Sequence, residues 1–220
     1  MFIGHFALGF AAKKWIDDVS LGWCFIASQF IDLLWPVLLL LGIESVAIDP
    51  GNTKVTPLNF EHYPVSHSLF GVLIWASLFA LLFYIWKRNW RYSVLLGGLV
   101  MSHWFLDFLT HRPDLPLLPS LDLKVGLGLW NSFAGTVAVE GSLFIAGVYL
   151  YHKATRAMNK TGSYALWGLI VFLVCIYIMN LFGSPPPSAE PIAYVTLSMW
   201  ILVAWGFWID RNREFLRAHA

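Results

Sequence analysis

Charged residues are scarce in this chain of 220 residues, where Asp, Glu, Lys and Arg together make up only 12%. Soluble domains carry roughly 25% charged residues. Hydrophobic residues account for 58% of the chain, and the mean hydropathy is +0.66. This composition excludes an ordinary soluble domain and predicts an integral membrane protein.

Features of several other function classes are missing as well. The net charge of +1 excludes a strongly basic nucleic-acid-binding protein. The two cysteines, Cys24 and Cys175, lie inside apolar runs and are expected to pack as small hydrophobic residues rather than form a disulfide or metal site. The sequence contains no Gly-rich phosphate loop and no G-x-S-x-G motif. Its first apolar run precedes the nearest lysines, the reverse of a cleavable signal peptide, so we expect this end to remain in the mature protein.

Long apolar runs are abundant instead. A bilayer core of about 30 Å requires about 20 apolar residues in a helix. A shorter run at 2–16 comes first, and Pro-, Gly- or charge-rich loops separate all the runs. The runs do not alternate polar and apolar residues, which favours helices over strands. The six runs of full length cover 19–43, 66–86, 92–111, 129–151, 163–183 and 191–209. The sequence therefore predicts an all-α, polytopic membrane helical bundle of about seven helices, the first one short.

The basic residues predict how this bundle is oriented. Clusters of Lys and Arg follow the first, third, fifth and seventh predicted helices, so all of them fall on one side. Short loops rich in Lys and Arg remain in the cytoplasm. The N-terminus is therefore predicted to lie outside and the C-terminus in the cytoplasm. The clusters are Lys13 and Lys14; Lys87, Arg88 and Arg91; Lys153, Arg156 and Lys160; and Arg211, Arg213 and Arg217.

Ionisable residues within the apolar runs share one depth. The fourth span contains His103, Asp107 and His111 at intervals of four residues, on one helix face. At about 1.5 Å per residue, Asp32 and His103 lie about 20 Å from the inner ends of their spans, and Glu140 lies about 16 Å below its outer start. His111 is expected at the membrane surface. The other ionisable residues of the outer half are His5, Glu61, His62 and His67. The inner side contains only His152 and His219 among the histidines.

A shared depth for carboxylates and imidazoles indicates a metal site. A charged side chain in the bilayer core costs about 2.5–3.5 kcal/mol, so these carboxylates are expected to face the bundle interior and meet a cation. Zinc binds His nitrogens and carboxylate oxygens, and in catalytic sites it leaves a position for water. We expect one or two zinc ions, with manganese, iron or magnesium as alternatives. A hydrogen-bonded His103–Asp107 pair, a core His5 and surface histidines in the loop are the simpler alternatives.

Two further residues carry expectations about the shape of the site. Pro36 removes the helical partner of the Asp32 carbonyl and predicts a broken or kinked second span there. Glu140 could be a ligand, a general base or a partner of a ligand, or it could pair with Thr136 one turn away.

Several motifs are similar to those of the bacterial membrane-bound metal-dependent hydrolases, over roughly residues 1–120. They are the Gly4-His5 opening, the Asp of the second span, H-x4-H-S at His62–Ser68 and H-x3-D-x2-T at His103–Thr110. Phe30 stands where that family usually has the first acid of P-D-x-D. The family's motifs are distantly similar to those of zinc-dependent phospholipases C. The resemblance implies a location in the inner (cytoplasmic) membrane. The metal ligands it implies are His5, Asp32, His62, His67, His103 and Asp107.

These observations lead to one functional prediction and one alternative. We predict a single membrane-embedded domain over residues 1–220, with metal-site helices in 1–120 and additional helices in 129–209. The predicted function is a metal-dependent hydrolase that acts on a lipid or lipid-linked ester, amide or phosphoester at the outer leaflet. Asp107, Asp32 or Glu140 would be its general base. The expected partners are the lipid bilayer and a lipid substrate, and not nucleic acid. The alternative is a proton- or metal-coupled transporter or ion-binding membrane protein, since Asp and His at mid-membrane also form relays.

Overall fold

The computed structural model describes residues 1–121 and 123–216, so Arg217 and His219 lie outside the described residues. A short 3₁₀ turn at Leu129–Asn131 accompanies the α-helices. In chain order the helices are α1 (Ile3–Ala12), α2 (Leu21–Ser28), α3 (Phe30–Leu40), α4 (Pro64–His67), α5 (Leu69–Lys87), α6 (Trp90–Thr110), α7 (Phe133–Ala154), α8 (Lys160–Phe182), α9 (Ala189–Leu197) and α10 (Met199–Asp210).

The helices have the lengths and compositions of membrane spans. Within the described part of the chain, five segments are long and apolar enough to cross a bilayer, namely α5, α6, α7, α8 and α9 taken with α10. Helices α2 and α3 add a sixth span that is bent by 55°. Helix α1 is shorter, as predicted. The prediction of an all-α polytopic membrane bundle is confirmed.

The second span is broken near Asp32, as predicted, but the bend lies at Gln29 and not at Pro36. Pro36 lies inside α3, whereas Gln29 leaves the helical conformation with φ −103° and ψ 5°. Helix α3 therefore begins anew at Phe30, and Asp32 falls in its first turn. Free N–H groups and the helix dipole favour a carboxylate at that position.

Small residues allow α1 to lie deep inside the bundle. A Cβ atom added at Gly147 of α7 would overlap the backbone carbonyl of Ala7, which indicates direct backbone contact between α1 and α7. The ring of Phe25 of α2 packs against Gly206 of α10, where a side chain would leave no room for it. Cys24 is buried, as predicted, while Cys175 is exposed on α8. Close packing of these helices places α1, and His5 on it, in the core.

The spans run in alternate directions, so the loops fall on two sides. The basic side contains loops 13–20, 88–89, 155–159 and 211–216, and the long-loop side contains loops 41–68 and 111–132. Short antiparallel strand pairs lie in both. On the long-loop side β1 (Ser45–Ile48) pairs with β2 (Leu58–His62) and β3 (Leu115–Pro116) with β4 (Lys124–Val125), and on the basic side β5 (Thr155–Ala157) pairs with β6 (Arg213–Phe215).

A buried ion pair connects α1 with α10 on the basic side. Lys13 Nζ lies 2.7 Å from Oδ2 of Asp210 and also donates to the carbonyl of Val19. The Tyr151 hydroxyl donates to Oδ1 of Asp210 over 2.8 Å. The end of α1 is thereby tied to α7 and α10. Assignment of the basic side to the cytoplasm remains a prediction.

Candidate metal centre

Five side chains from four helices meet near the long-loop side. Their ligand atoms form two overlapping groups, and within each group these atoms lie within 4.8 Å of one another. His103 belongs to both groups. The first group is His5, His103 and Asp107, and the second is Asp32, His67 and His103. The structure therefore brings together five of the six predicted ligands.

Helix α6 supplies the centre of the cluster. His103 and Asp107 lie one turn apart, with Nε2 of His103 3.2 Å from Oδ2 of Asp107. On the other edge of the ring, Nδ1 of His103 lies 3.1 Å from the carbonyl of Ser28 at the end of α2. A carbonyl only accepts hydrogen bonds, so Nδ1 carries the proton. In the neutral imidazole Nε2 then presents a lone pair, and this atom has no hydrogen-bond partner among the described residues.

The imidazole of His67 has the same orientation as that of His103, with Nδ1 at a hydrogen-bond partner and Nε2 towards the carboxylates. Its Nδ1 lies 2.6 Å from the Ser66 hydroxyl. Its Nε2 lies 3.7 Å from Oδ1 of Asp32 and 3.8 Å from Oδ2 of Asp107. The imidazole of His67 therefore also turns Nε2 towards the carboxylates.

His5 completes the cluster from α1. Its ring stacks on that of His103, with centroids 3.7 Å apart, and its Nε2 lies 3.1 Å from Oδ1 of Asp107. The Met1 amino group lies 2.7 Å from the same oxygen. Oδ1 of Asp107 therefore contacts the Met1 amino group and Nε2 of His5. Its Oδ2 faces Nε2 of His67 and of His103.

The chemistry of these donors fits a metal ion. The Nε2 lone pair of His103 faces carboxylate oxygens of both Asp107 and Asp32, the latter at 3.6 Å. Two acceptors that face each other in a buried site repel unless a cation or proton lies between them. Imidazole nitrogens and carboxylate oxygens are the ligands that zinc accepts. Hydrogen bonds from the remote ring nitrogens are the usual way in which metal-binding histidines are held.

Asp32 is the one member of the cluster with substantial exposure. Its side chain is 24% exposed, against 3% or less for its four neighbours. Phe30, two residues earlier in α3, packs against Trp75 and Phe79 of α5. The cluster is therefore enclosed on most sides and reaches the protein surface at Asp32.

Comparison with known protein families identifies the chain's relatives. Residues 2–185 match the family described as the YdjM inner membrane protein. The chain belongs to this family. No curated protein and no solved structure matches the chain. The YdjM match confirms a multi-pass inner-membrane protein, and it extends beyond residues 1–120 to include α7 and α8. The family description names a location and no reaction.

The structure of this YdjM-family protein places the sixth predicted ligand, His62, apart from the others. His62 ends β2 and is exposed on the long-loop side, although His67 is only five residues away. His67 is the last residue of the short helix α4, and Tyr63 and the beginning of that helix lie between the two histidines.

Glu140 is buried beside the start of α1 and outside both groups of ligand atoms. Its Oε2 accepts a hydrogen bond from the backbone N–H of Phe2 over 3.0 Å. Thr136, one of the alternative partners considered for Glu140, instead donates to the carbonyl of Leu129. Glu140 therefore satisfies a free N–H group at the beginning of a buried helix.

His111 was predicted at the membrane surface, but it is buried where α6 ends. Its Nδ1 lies 2.9 Å from Oδ1 of Asp114, and its ring packs on Trp130 with centroids 4.4 Å apart. Burial lowers the pKa of His111. Burial and the neighbouring Asp114 raise the pKa of Tyr63, whose hydroxyl donates to the same carboxylate.

Proposed function

We propose that this YdjM-family protein is a membrane-bound hydrolase that depends on zinc and acts on a lipid or lipid-linked ester, amide or phosphoester. The observation that supports a metal centre is the direction of two imidazoles. His67 and His103 each direct Nδ1 at a hydrogen-bond partner in the protein and Nε2 at the carboxylates of Asp32 and Asp107.

The side chains divide into ligands and a proton carrier. Nε2 of His67 and of His103 would hold the ion together with Asp107, whose oxygens are enclosed. When bound, zinc supplies a Lewis acid that polarises the scissile group and activates water. Asp32 lies at the exposed edge and is the carboxylate best placed to take a proton from water as general base. Glu140 is occupied with the start of α1, which favours a structural role.

A lipid substrate is supported by the location of the exposed edge. Asp32 lies in the first turn of α3, inside a bent membrane span, and not in a loop. Access at this depth suits a molecule that is itself part of the bilayer. If the basic side is cytoplasmic, the long-loop side and the cluster near it face the periplasm or exterior.

A transporter is the less favoured alternative because an apolar layer lies towards the basic side. Phe6, Phe10 and Phe25 are fully buried along the stretch of the bundle between His5 and Lys13. The ring of Phe25 packs edge-on against Phe6 at 5.2 Å and against Phe10 at 4.9 Å. A relay or permeation path would require polar groups across this layer.

The experiment uses the purified full-length protein in nanodiscs, loaded with zinc and incubated with a total inner-membrane lipid extract. Mass spectrometry would follow the lipids. We expect hydrolysis products with the wild type and none with Asp32→Asn or Asp107→Asn. Asp49→Asn, at an exposed residue of the long-loop side, is the matched control and should behave as the wild type. Lipids that remain unchanged with the wild type, or full turnover by both site variants, would overturn the proposal.

A further inference from the structure

Glu44 lies beside the cluster and is absent from every motif found in the sequence. It follows α3 in the long-loop region, yet it is only 3% exposed. Its Oε1 accepts the backbone N–H groups of Val65 and Ser66, each over 2.8 Å. Its Oε2 accepts the hydroxyl of Ser66 over 2.6 Å. One buried carboxylate therefore holds the turn that carries His67.

The Ser66 hydroxyl connects this carboxylate to the imidazole. Its oxygen lies 2.6 Å from Oε2 of Glu44 and 2.6 Å from Nδ1 of His67. The hydroxyl has one proton, which it donates to the carboxylate, because a carboxylate only accepts. The oxygen must then accept from His67, so the proton of the imidazole resides on Nδ1.

We propose that Glu44 is a positioning residue which, through Ser66, fixes His67 in the tautomer that turns a lone pair on Nε2 towards Asp32 and Asp107. Its role in holding a metal ligand rests on the metal centre proposed above. Partners behind metal-binding histidines fix the tautomer and ring orientation, and their loss typically weakens metal binding about 10- to 100-fold.

A glutamine at position 44 would reverse the direction of this chain of hydrogen bonds. Its amide oxygen could still accept from the N–H groups of Val65 and Ser66, so the turn would persist. Its NH2 group would donate to the Ser66 hydroxyl, which would then donate to Nδ1 of His67. The imidazole proton would move to Nε2, where it blocks the lone pair.

His103 provides a control within the same molecule. Its Nδ1 faces the backbone carbonyl of Ser28, which no side-chain substitution at position 44 alters. The tautomer of His103 should therefore be independent of Glu44, whereas that of His67 should depend on it.

The test uses full-length protein labelled with 15N in histidine, freed of metal by chelation and studied by NMR at mildly alkaline pH. We expect Nδ1–H for both His67 and His103 in the wild type. Glu44→Gln should convert His67 to Nε2–H and leave His103 unchanged. Glu61→Gln, the same substitution at an exposed residue of β2, should change neither. An unchanged His67 in Glu44→Gln would overturn the proposal.

Zinc affinity, measured by competition with a chromophoric chelator, separates this proposal from the proposed function. We expect Glu44→Gln to bind zinc about 10- to 100-fold more weakly than the wild type and Glu61→Gln to bind it equally. Equal zinc affinity in wild type and Glu44→Gln would contradict the positioning role. A wild type that binds no zinc would overturn the proposed function, and the tautomer of His67 would still decide whether Glu44 sets it.

Discussion

The imidazole rings of His5 and His103 stack with centroids 3.7 Å apart and planes 1° from parallel. Each ring also directs Nε2 at Asp107, with the two contacts on different carboxylate oxygens. Two imidazolium ions at this spacing would repel each other strongly in a buried site. At most one ring of the pair is therefore charged. The Met1 amino group supplies one positive charge to Asp107, and a metal ion would supply the further positive charge that Asp32 requires.

The geometry distinguishes two histidines that the sequence motif treats alike. His67→Ala removes a side chain whose Nε2 faces Asp32 and Asp107, so it should sharply reduce bound zinc. His62→Ala alters an exposed residue outside the cluster and should leave zinc content at the wild-type level. Zinc content of the purified variants, measured by elemental mass spectrometry, checks this. Loss of zinc in His62→Ala would contradict the position of His62 outside the cluster.

Close contact between α1 and α7 predicts a difference between two glycines of α7. A methyl group at Gly147 meets the carbonyl of Ala7, whereas one at Gly141 meets nothing within 4 Å. Gly147→Ala should destabilise the protein by about 1–3 kcal/mol through overpacking. Gly141→Ala should be neutral or slightly stabilising, because alanine is the better helix former. Thermal unfolding in detergent measures both, and equal effects would refute the proposed backbone contact.

Substitutions of Glu140 distinguish a structural role of this side chain from a role as general base. Its carboxylate accepts the Phe2 N–H group, and a glutamine at this position retains an acceptor. Glu140→Gln should therefore keep zinc and most of the stability, while Glu140→Leu should lose about 1–3 kcal/mol by leaving a buried donor unpaired. Zinc content and thermal unfolding are the measurements. If Glu140→Gln folded and bound zinc but abolished hydrolysis, Glu140 and not Asp32 would be the general base.

The region around His111 and Asp114 should become less stable to unfolding on acidification. Burial lowers the pKa of His111. Burial acts to raise the pKa of Asp114, but hydrogen bonds from His111 and Arg112 lower it overall. The unfolded chain therefore binds more protons at both groups, and stability should fall as the pH drops below about 6.5, the ordinary value for histidine.

Hydrogen–deuterium exchange of the amides near His111 and Trp130, whose rings pack together, can report unfolding of this region at each pH. His111→Gln should reduce the loss of stability in the upper part of this pH range and leave the part of the Asp114 contribution that Arg112 and Tyr63 maintain. A stability that rises on acidification, or an identical pH dependence in the variant, would contradict the assignment.

Much of the bundle could be predicted because the length of an apolar run and the spacing of His103 and Asp107 follow from helix geometry. The bend at Gln29 could not, since a proline signals a missing hydrogen bond but tertiary packing decides where a span bends. Glu44 had no local signal at all. It lies in an ordinary loop sequence and becomes buried only when that loop meets Val65 and Ser66. Glu140 was predicted as functional from its depth alone, before the buried start of α1 was known to need an acceptor.

Metal analysis of the purified protein tests the central claim most directly. Wild type, His103→Ala and His152→Ala would be loaded with zinc, freed of excess ion and analysed side by side. His152 is exposed near the end of α7 and is the matched control. We predict about one zinc per chain in the wild type and in His152→Ala, and its loss in His103→Ala. A wild type without bound zinc, or a His103→Ala variant that retains it, would contradict the metal centre.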